Sequence, residues 1–233
     1  MHFVKRIFLF GTTAAFLFAG CSMPPPLRID DVPTLSAGLF PEQNFRQVTA
    51  FGKVELSIEG ESHTGTVEVR WKNTGQLSAD FYAPLGIIIG SVKAADGQGT
   101  VSFDGKEHSF SMTQTMDTLP FAWGRDLTFG DLVRILLAQP PAVYVSYLKN
   151  PPDSLVQERR TICARWKTDS IGAEVRIRTR SHVPEKVMFV CKKRSAFWSL
   201  TLSAFDHQRA NKIELRENDK NYFSIKYTEV NCN

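Results

Sequence analysis

The stretch that decides the fold is residues 65–92, which read GTVEVRWKNTGQLSADFYAPLGIIIGSV. Apolar and polar side chains alternate in two runs, with apolar residues at Val67, Val69, Trp71, Leu77, Ala79 and Phe81. A period of two is the pattern of a β-strand with one buried face. The residues between the two runs, 73–76, are of types that favour a tight turn. This stretch therefore predicts a β-hairpin followed by a loop at Pro84-Leu85-Gly86.

The same alternation continues on both sides of the hairpin, and turn signals such as GESHTG, DGQG and DGK separate the runs. Strands are expected over residues 54–59, 87–94, 99–104, 107–113, 156–167, 171–180, 185–192, 196–205, 211–217 and 221–230. A long succession of short strands with turns between them is typical of a large antiparallel sheet. The chain is thus expected to be mainly β.

Residues 114–141 interrupt the strand pattern. Thr128 and Asp131 are spaced as a helix-capping pair, and Leu132, Ile135 and Leu136 follow at helical spacing. The Pro-Pro pair at 140–141 is expected to end the helix. One short amphipathic helix is therefore predicted as an insert in the sheet. It cannot cover a sheet of that size, so the sheet either packs on itself or leaves an apolar cavity under the helix.

The first residues resemble an export signal. Lys5 and Arg6 precede an apolar run over residues 7–18, which is shorter than the roughly 20 residues of a membrane-spanning helix. Ala19-Gly20-Cys21 then places a cysteine where lipoprotein signals are cut and acylated. We expect lipidation at Cys21, the alternative being an ordinary cleaved signal with a free cysteine nearby. Ser22 rather than Asp at the next position favours the outer membrane.

Three units are expected along the chain. Residues 1–20 form the lipoprotein signal peptide, residues 21–44 the lipidated cysteine and a Pro-rich tether, and residues 45–233 one domain. Removing the signal leaves 26 basic and 24 acidic side chains, a near balance that argues against a nucleic-acid partner.

Three further cysteines and the five histidines offer little chemistry. Cys163, Cys191 and Cys232 allow at most one internal disulfide, and Cys163 with Cys191 is the candidate pair because both fall in neighbouring predicted strands. There is no C-x-x-C, and the histidines are scattered, so no metal site is expected. Motifs for a nucleophilic serine, a zinc protease or a phosphate loop are also lacking. We therefore expect no enzyme activity and no cofactor.

Residues 65–92 resemble the LolB family of outer-membrane lipoprotein receptors. The shared elements are a strand ending in Trp71, the turn containing Thr74-Gly75-Gln76, an alternating strand, and Pro84-Leu85-Gly86. Leu119-Pro120-Phe121 followed by residues 127–138 is similar to the proline-containing segment and short helix of that family. The resemblance covers roughly residues 45–140, and the second half matches only as a succession of strands.

The resemblance implies a half-open antiparallel β-barrel of about 11 strands covered by a short helical lid. It further implies a cavity for the acyl chains of lipoproteins that a periplasmic LolA-like carrier delivers. In that family the leucine of the P-L-G loop protrudes and helps to place the cargo in the membrane, and Leu85 is the matching residue. The implied location is the outer membrane, with the domain facing the periplasm. Ala83 replaces the family's usual Asn, and the cysteines and Arg-rich strands are also departures.

The candidate cavity residues are apolar positions of strands and lid: Trp71, Phe81, Phe103, Phe110, Leu132, Ile135 and Leu136. Each of them can instead fill the core, and Leu85 can equally be folded inward. A carrier should keep a cavity of several hundred Å³. The expected function is to bind acyl chains such as palmitate and to receive and insert lipoproteins. The protein would then act as a chaperone. The alternative is a structural or assembly lipoprotein with a filled core that docks an envelope complex.

Overall fold

A computed structural model describes residues 27–32, 40, 46–103, 105–119, 122–193, 196–206, 209–218 and 220–233. The predicted signal peptide, Cys21 and most of the predicted tether lie outside the described residues. The strands are β1 Gln47–Ile58, β2 Glu61–Lys72, β3 Leu77–Tyr82, β4 Ile88–Ala95, β5 Gln98–Phe103, β6 Lys106–Ser111, β7 Ser154–Glu158, β8 Thr161–Lys167, β9 Ile171–Arg178, β10 Pro184–Lys193, β11 Ala196–Asp206, β12 Arg209–Arg216 and β13 Tyr222–Cys232.

All these strands belong to one antiparallel sheet in the order β6-β5-β4-β3-β2-β1-β13-β12-β11-β10-β9-β8-β7. Strands that follow each other in sequence pair with each other within β1 to β6 and within β7 to β13. In the middle of the sheet, β1 also pairs with β13 and so joins these two groups. The edge strands β6 and β7 do not pair with each other, so the sheet stays open. The predicted half-open antiparallel fold with a helical lid is confirmed. The sheet has 13 strands, partly because predicted strand 156–167 is a hairpin that turns at Arg159, where φ is 44°.

The connection between the two edge strands carries the helices: a 3₁₀ turn Ala122–Arg125, α1 Phe129–Leu136 and α2 Ala142–Leu148. The predicted capping pair starts α1, since the Thr128 amide donates to Asp131 at 3.1 Å and the Asp131 amide donates to Thr128 at 3.2 Å. The second helix was not predicted. Pro141 is its N-cap, so the Pro-Pro pair both ends the segment of α1 and starts α2.

The core lies on the concave side of the sheet under this connection. On β8 to β12 it is filled by large side chains, and Tyr144 of α2 stacks on Phe189 with ring centres 4.7 Å apart. Trp198 is fully buried beside them, and its indole N–H donates to Asp126 at 2.9 Å. Within the described part of the chain, no helix is long and apolar enough to cross a bilayer.

The described end of the predicted tether contacts the domain. Leu27 and Val32 are buried in the core, and the Leu27 amide donates to the carbonyl of Thr179 at 2.7 Å. A short 3₁₀ turn, Ile29–Asp31, lies between these two side chains. Leu27 therefore lies at the end of β9.

Candidate functional site

A cavity of about 100 Å³ lies between the first half of the sheet and α1. Strands β1 to β5 and β13 form its walls, while Leu119, Leu132 and Leu136 cover it from above. The lining residues are Val54, Leu56, His63, Thr64, Gly65, Phe81, Ile89, Gly90, Ser91, Val92, Val101, Ser102, Phe103, Leu119, Leu132, Leu136 and Phe223.

The hollow exists because the strands beneath it carry small side chains. Val92, Val101 and Gly90 occupy concave positions where larger residues would reach the lid. A Cβ at Gly90 would come within 3.0 Å of the carbonyl oxygen of Ser102 and near the rings of two wall phenylalanines. Phe81 and Phe223, in edge-to-face contact at 6.0 Å, then form part of the wall rather than fill the centre.

The walls are almost entirely apolar. No residue of the lining carries a permanent charge, and the few polar residues are His63, Thr64, Ser91 and Ser102. A water molecule needs two to four polar partners to be stable in a protein interior. Hydrocarbon is therefore the chemistry that this cavity favours.

The cavity is smaller than the several hundred Å³ expected of a lipid carrier. The side chains of Leu132 and Leu136 project from α1 into the space that a chain would need. In this conformation the cavity has room for a few carbon atoms only. A complete acyl chain therefore needs more room than this conformation provides.

Both ends of α1 are attached to the sheet. At its start, Phe129 stacks on Phe110 with ring centres 6.0 Å apart and lies directly over Gly99, where a Cβ would overlap the ring. At its end, the Tyr227 hydroxyl donates to the carbonyl of Leu136. Burial raises the pKa of Tyr227, so the hydroxyl keeps its proton and the hydrogen bond is present over the whole neutral range.

The structure brings four of the seven predicted cavity residues together: Phe81, Phe103, Leu132 and Leu136 all line the cavity. Phe110 instead supports Phe129, Ile135 is fully buried in the core, and Trp71 packs against the core without lining the cavity. Pro120 and Phe121 lie outside the described residues.

Sequence reasoning missed the small wall residues and Phe223. The aliphatic positions Val54, Val92 and Val101 belong to strands that were predicted, and their alternation marks them as inward-facing. Nothing in that alternation separates a residue beside a hollow from one in a filled core. Phe223 reaches the cavity because β13 pairs with β1, a long-range pairing that local pattern does not reveal.

The loop beside the cavity holds Leu85 in solvent. Leu85 is 98% exposed and adopts φ 73°, ψ 10°, a left-handed conformation that is unfavourable for a residue with a side chain. Hydrogen bonds close the loop at its base, from the Ala83 amide to Ile87 at 2.8 Å and from the Gly86 amide to Ala83 at 3.1 Å. This loop is thus a compact turn that presents an apolar tip.

The exposed tip continues into the cavity wall. Ile87 and Ile88 are 62% and 60% exposed, and the next residue, Ile89, lines the cavity. On the other side of the loop, Phe81 of β3 lines the cavity as well. At Gly65 of β2 a Cβ would overlap the Tyr82 carbonyl, so only glycine allows β2 to approach the loop so closely. The exposed segment 85–88 therefore directly precedes a residue of the cavity wall in the chain.

The predicted Cys163–Cys191 disulfide is wrong. Neither cysteine forms a disulfide, and their strands β8 and β10 are separated by β9. The two side chains also lie on opposite faces of the sheet, because Cys191 shares its face with the buried Val187 and Phe189, whereas Cys163 shares its face with the exposed Arg165. Burial is the main cause that raises the pKa of the Cys163 thiol. Among the described residues, no group of three or more His, Cys, Asp and Glu is placed to hold a metal ion.

The convex face carries most of the charge. On the second half of the sheet, Glu174 accepts hydrogen bonds from Arg165 at 2.9 Å and Arg176 at 2.7 Å. Burial alone would raise the pKa of Glu174, but these two guanidinium groups outweigh it and lower the pKa. Arg178 and Arg180 are exposed beyond them, as in a solvated strand face.

Known structures share this architecture. A DUF1329 family protein from Desulfovibrio piger superposes with a TM-score of 0.53 at 10% identity, over 90% of this chain and 94% of that one. A putative outer membrane lipoprotein-sorting protein domain from Vibrio parahaemolyticus gives a TM-score of 0.51 at 10% identity, over 88% and 93% of the two chains. Both share the fold of this chain, an open antiparallel sheet. No protein-family model and no curated protein matches the sequence.

Proposed function

We propose that this protein is a lipid-anchored lipoprotein of the outer membrane that binds acyl chains under α1 and receives and inserts other lipoproteins. The observation that carries the proposal is the apolar cavity under α1, beside a loop that exposes Leu85. The solved structure from Vibrio parahaemolyticus, whose description names lipoprotein sorting, supports it through the common fold alone.

Transfer of a lipoprotein requires a protein surface that replaces the membrane interior. Burying each methylene contributes about 0.8 kcal/mol, so a chain of about 16 carbons is held in a bilayer by roughly 12 kcal/mol. Walls without charge, such as those around Val92 and Val101, can supply the same kind of contact. The proposed role is binding and release, and it involves no catalytic step.

Entry of the chain depends on α1. When α1 leaves the sheet, Leu132 and Leu136 lose their apolar contacts, and an incoming acyl chain restores those contacts to the strands. Binding of the chain therefore offsets part of the free energy that lid opening costs. The helix is short, but five of its eight residues are buried, so opening must also break the packing of Phe129 and Ile135 and the hydrogen bond from Tyr227 to Leu136.

Leu85 is proposed to enter the membrane surface during delivery. A lipid anchor at Cys21 would hold the domain near the bilayer, and a LolA-like carrier would present the cargo to the cavity. The loop keeps Leu85 outward in a left-handed conformation that costs about 1 kcal/mol or more. A residue with no contacts in its own domain but with such a constrained backbone fits a role outside the domain.

A second candidate is an assembly lipoprotein that docks an envelope complex. The observation in its favour is the small volume of the cavity, together with the filled core of the second half. In that case α1 is a permanent part of the core, and the exposed apolar residues form a protein interface instead.

Mass spectrometry of lipids extracted from the purified protein separates the two candidates. We expect acyl chains at near-stoichiometric amounts, and their loss in Val101→Phe, which places a ring in the cavity. The control is Val156→Phe, at an exposed position of β7, which should keep the lipid. A wild-type protein that purifies without lipid but retains a protein partner would support the assembly role and contradict lipid carriage.

A further inference from the structure

Three lysines form a row across the convex face next to the Leu85 loop. Lys53 of β1 is directly opposite Lys226 of β13, and Lys226 is directly opposite Lys212 of β12. Residues that face each other in antiparallel strands point to the same side with about 5 Å between their Cβ atoms. The three ammonium groups therefore leave the same face of the sheet in a line.

The row is only partly neutralised by neighbouring acids. Lys212 forms a salt bridge with Glu214 at 3.3 Å, but Glu214 is shared with Arg216 at 3.0 Å. Lys53 and Lys226 form no salt bridge with any residue that the structure describes. Like charges directly opposite each other destabilise a sheet. An anion from outside the domain would remove that repulsion.

The lysines and the loop share one surface depression. Lys53, Lys212 and Lys226 line it together with Pro84, Leu85 and Gly86. Hydroxyl donors stand between them, at Thr64, Thr66 and Ser224, and Glu55 is the one acid in the lining. Ammonium and hydroxyl groups around a shallow depression are the donors that suit a phosphate group. The adjoining Leu85 is fully exposed and apolar.

We propose that this depression binds the phosphate headgroup of an anionic phospholipid while Leu85 lies in the acyl region of the same membrane. The proposal rests on the proposed function, in which Leu85 enters the bilayer, and it adds which lipids the domain prefers. Charge complementarity carries it, because a basic row beside an apolar tip matches an anionic surface over a hydrocarbon layer. The headgroup site also fixes which face of the domain meets the membrane.

Hydrogen exchange of the acylated mature protein in vesicles tests the proposal. Vesicles of phosphatidylcholine alone are compared with vesicles that also contain phosphatidylglycerol, and exchange is followed for residues 83–88. Each lysine near an anionic surface should contribute roughly a fivefold effect on the bound population. We expect at least that slowing in the anionic vesicles, and its reversal at high salt.

Matched variants separate the lysine row from general charge. Lys53→Gln with Lys226→Gln should abolish the difference between the two vesicle types. Lys72→Gln with Lys93→Gln, which removes two exposed strand lysines elsewhere, should retain it. Equal protection of the loop in both vesicle types would overturn the headgroup site but leave insertion of Leu85 standing. Protection by inorganic phosphate with phosphatidylcholine vesicles would overturn the membrane assignment.

Discussion

The two halves of the sheet use the same backbone pattern for different purposes. Concave positions of β10 and β11 carry the large side chains of Phe189 and Trp198, which pack with Tyr144 of α2. Concave positions of β2 to β5 carry mostly valine, alanine and glycine, with Phe81 and Phe103 at the cavity wall, and the space above them is only partly filled by α1. The difference indicates that side-chain size, on a sheet of uniform topology, separates a filled half from a half that retains a hollow.

The filled half should lose the most stability when a large side chain is removed. Trp198→Ala deletes a fully buried ring and its hydrogen bond to Asp126, and we expect a loss of about 3–5 kcal/mol in the free energy of unfolding. Urea denaturation measures this loss. Phe103→Ala at the cavity wall should cost clearly less, and equal losses at the two sites would remove the distinction between the halves.

Adding volume should have opposite consequences in the two halves. Val175→Phe overpacks a fully buried position of β9 and is expected to cost about 1–3 kcal/mol. Val101→Phe enters the hollow and should change stability much less while abolishing acyl-chain binding. Calorimetric melting of both variants, with lipid analysis of the second, makes the comparison. A severe loss of stability in Val101→Phe would mean that the hollow cannot accept a ring.

The convex face of the filled half should give a smaller, pH-dependent effect. The pKa of Glu174 is lower in the folded protein than in the unfolded chain, so its contribution is complete above the ordinary value of about 4.3. That contribution is lost as the pH falls through the lowered pKa. Glu174→Gln should therefore cost up to about 1 kcal/mol at neutral pH and much less at low pH. A cost that does not change with pH would contradict the assigned charge pair.

The smallest effect on stability is expected at the tip of the hollow half. Leu85→Glu changes a side chain without contacts in the domain, so the free energy of unfolding should stay within about 0.5 kcal/mol. Delivery of a lipoprotein to vesicles, followed by flotation, should nevertheless fail. Phe197→Glu, at an exposed phenylalanine in the other half, is the control and should deliver normally. If Leu85→Glu delivers normally, the tip has no part in transfer.

The sequence predicts the strands well because each strand has one buried face. Alternation at Val67, Val69 and Ala79 marks β2 and β3, and the Thr128–Asp131 pair marks the start of α1. The second helix was not predicted because Pro140 and Pro141 indicate an end as readily as a start. The expectation that Cys163 and Cys191 lie on adjacent strands was also wrong, because β9 lies between their strands and the two side chains lie on opposite faces.

The candidate site was less predictable than the fold. Residue type alone favours a buried Leu85, and only the resemblance in the P-L-G loop indicated an exposed one. The hollow depends on which residues lie opposite Val92 and Val101 across the cavity. The path of the connection from β6 to β7 determines those residues. Such long-range placement is invisible to a local pattern.

The position of a bound acyl chain tests the account most directly. Isotope-filtered nuclear Overhauser spectra of the protein with palmitate would identify the methyl groups that contact the chain. We predict contacts to Val54, Val92 and Val101, and loss of the contacts between Leu132 and the strands as α1 moves. Contacts confined to the filled half, at Leu200 or Leu202, or no contact at any palmitate concentration, would contradict an acyl-binding cavity under α1.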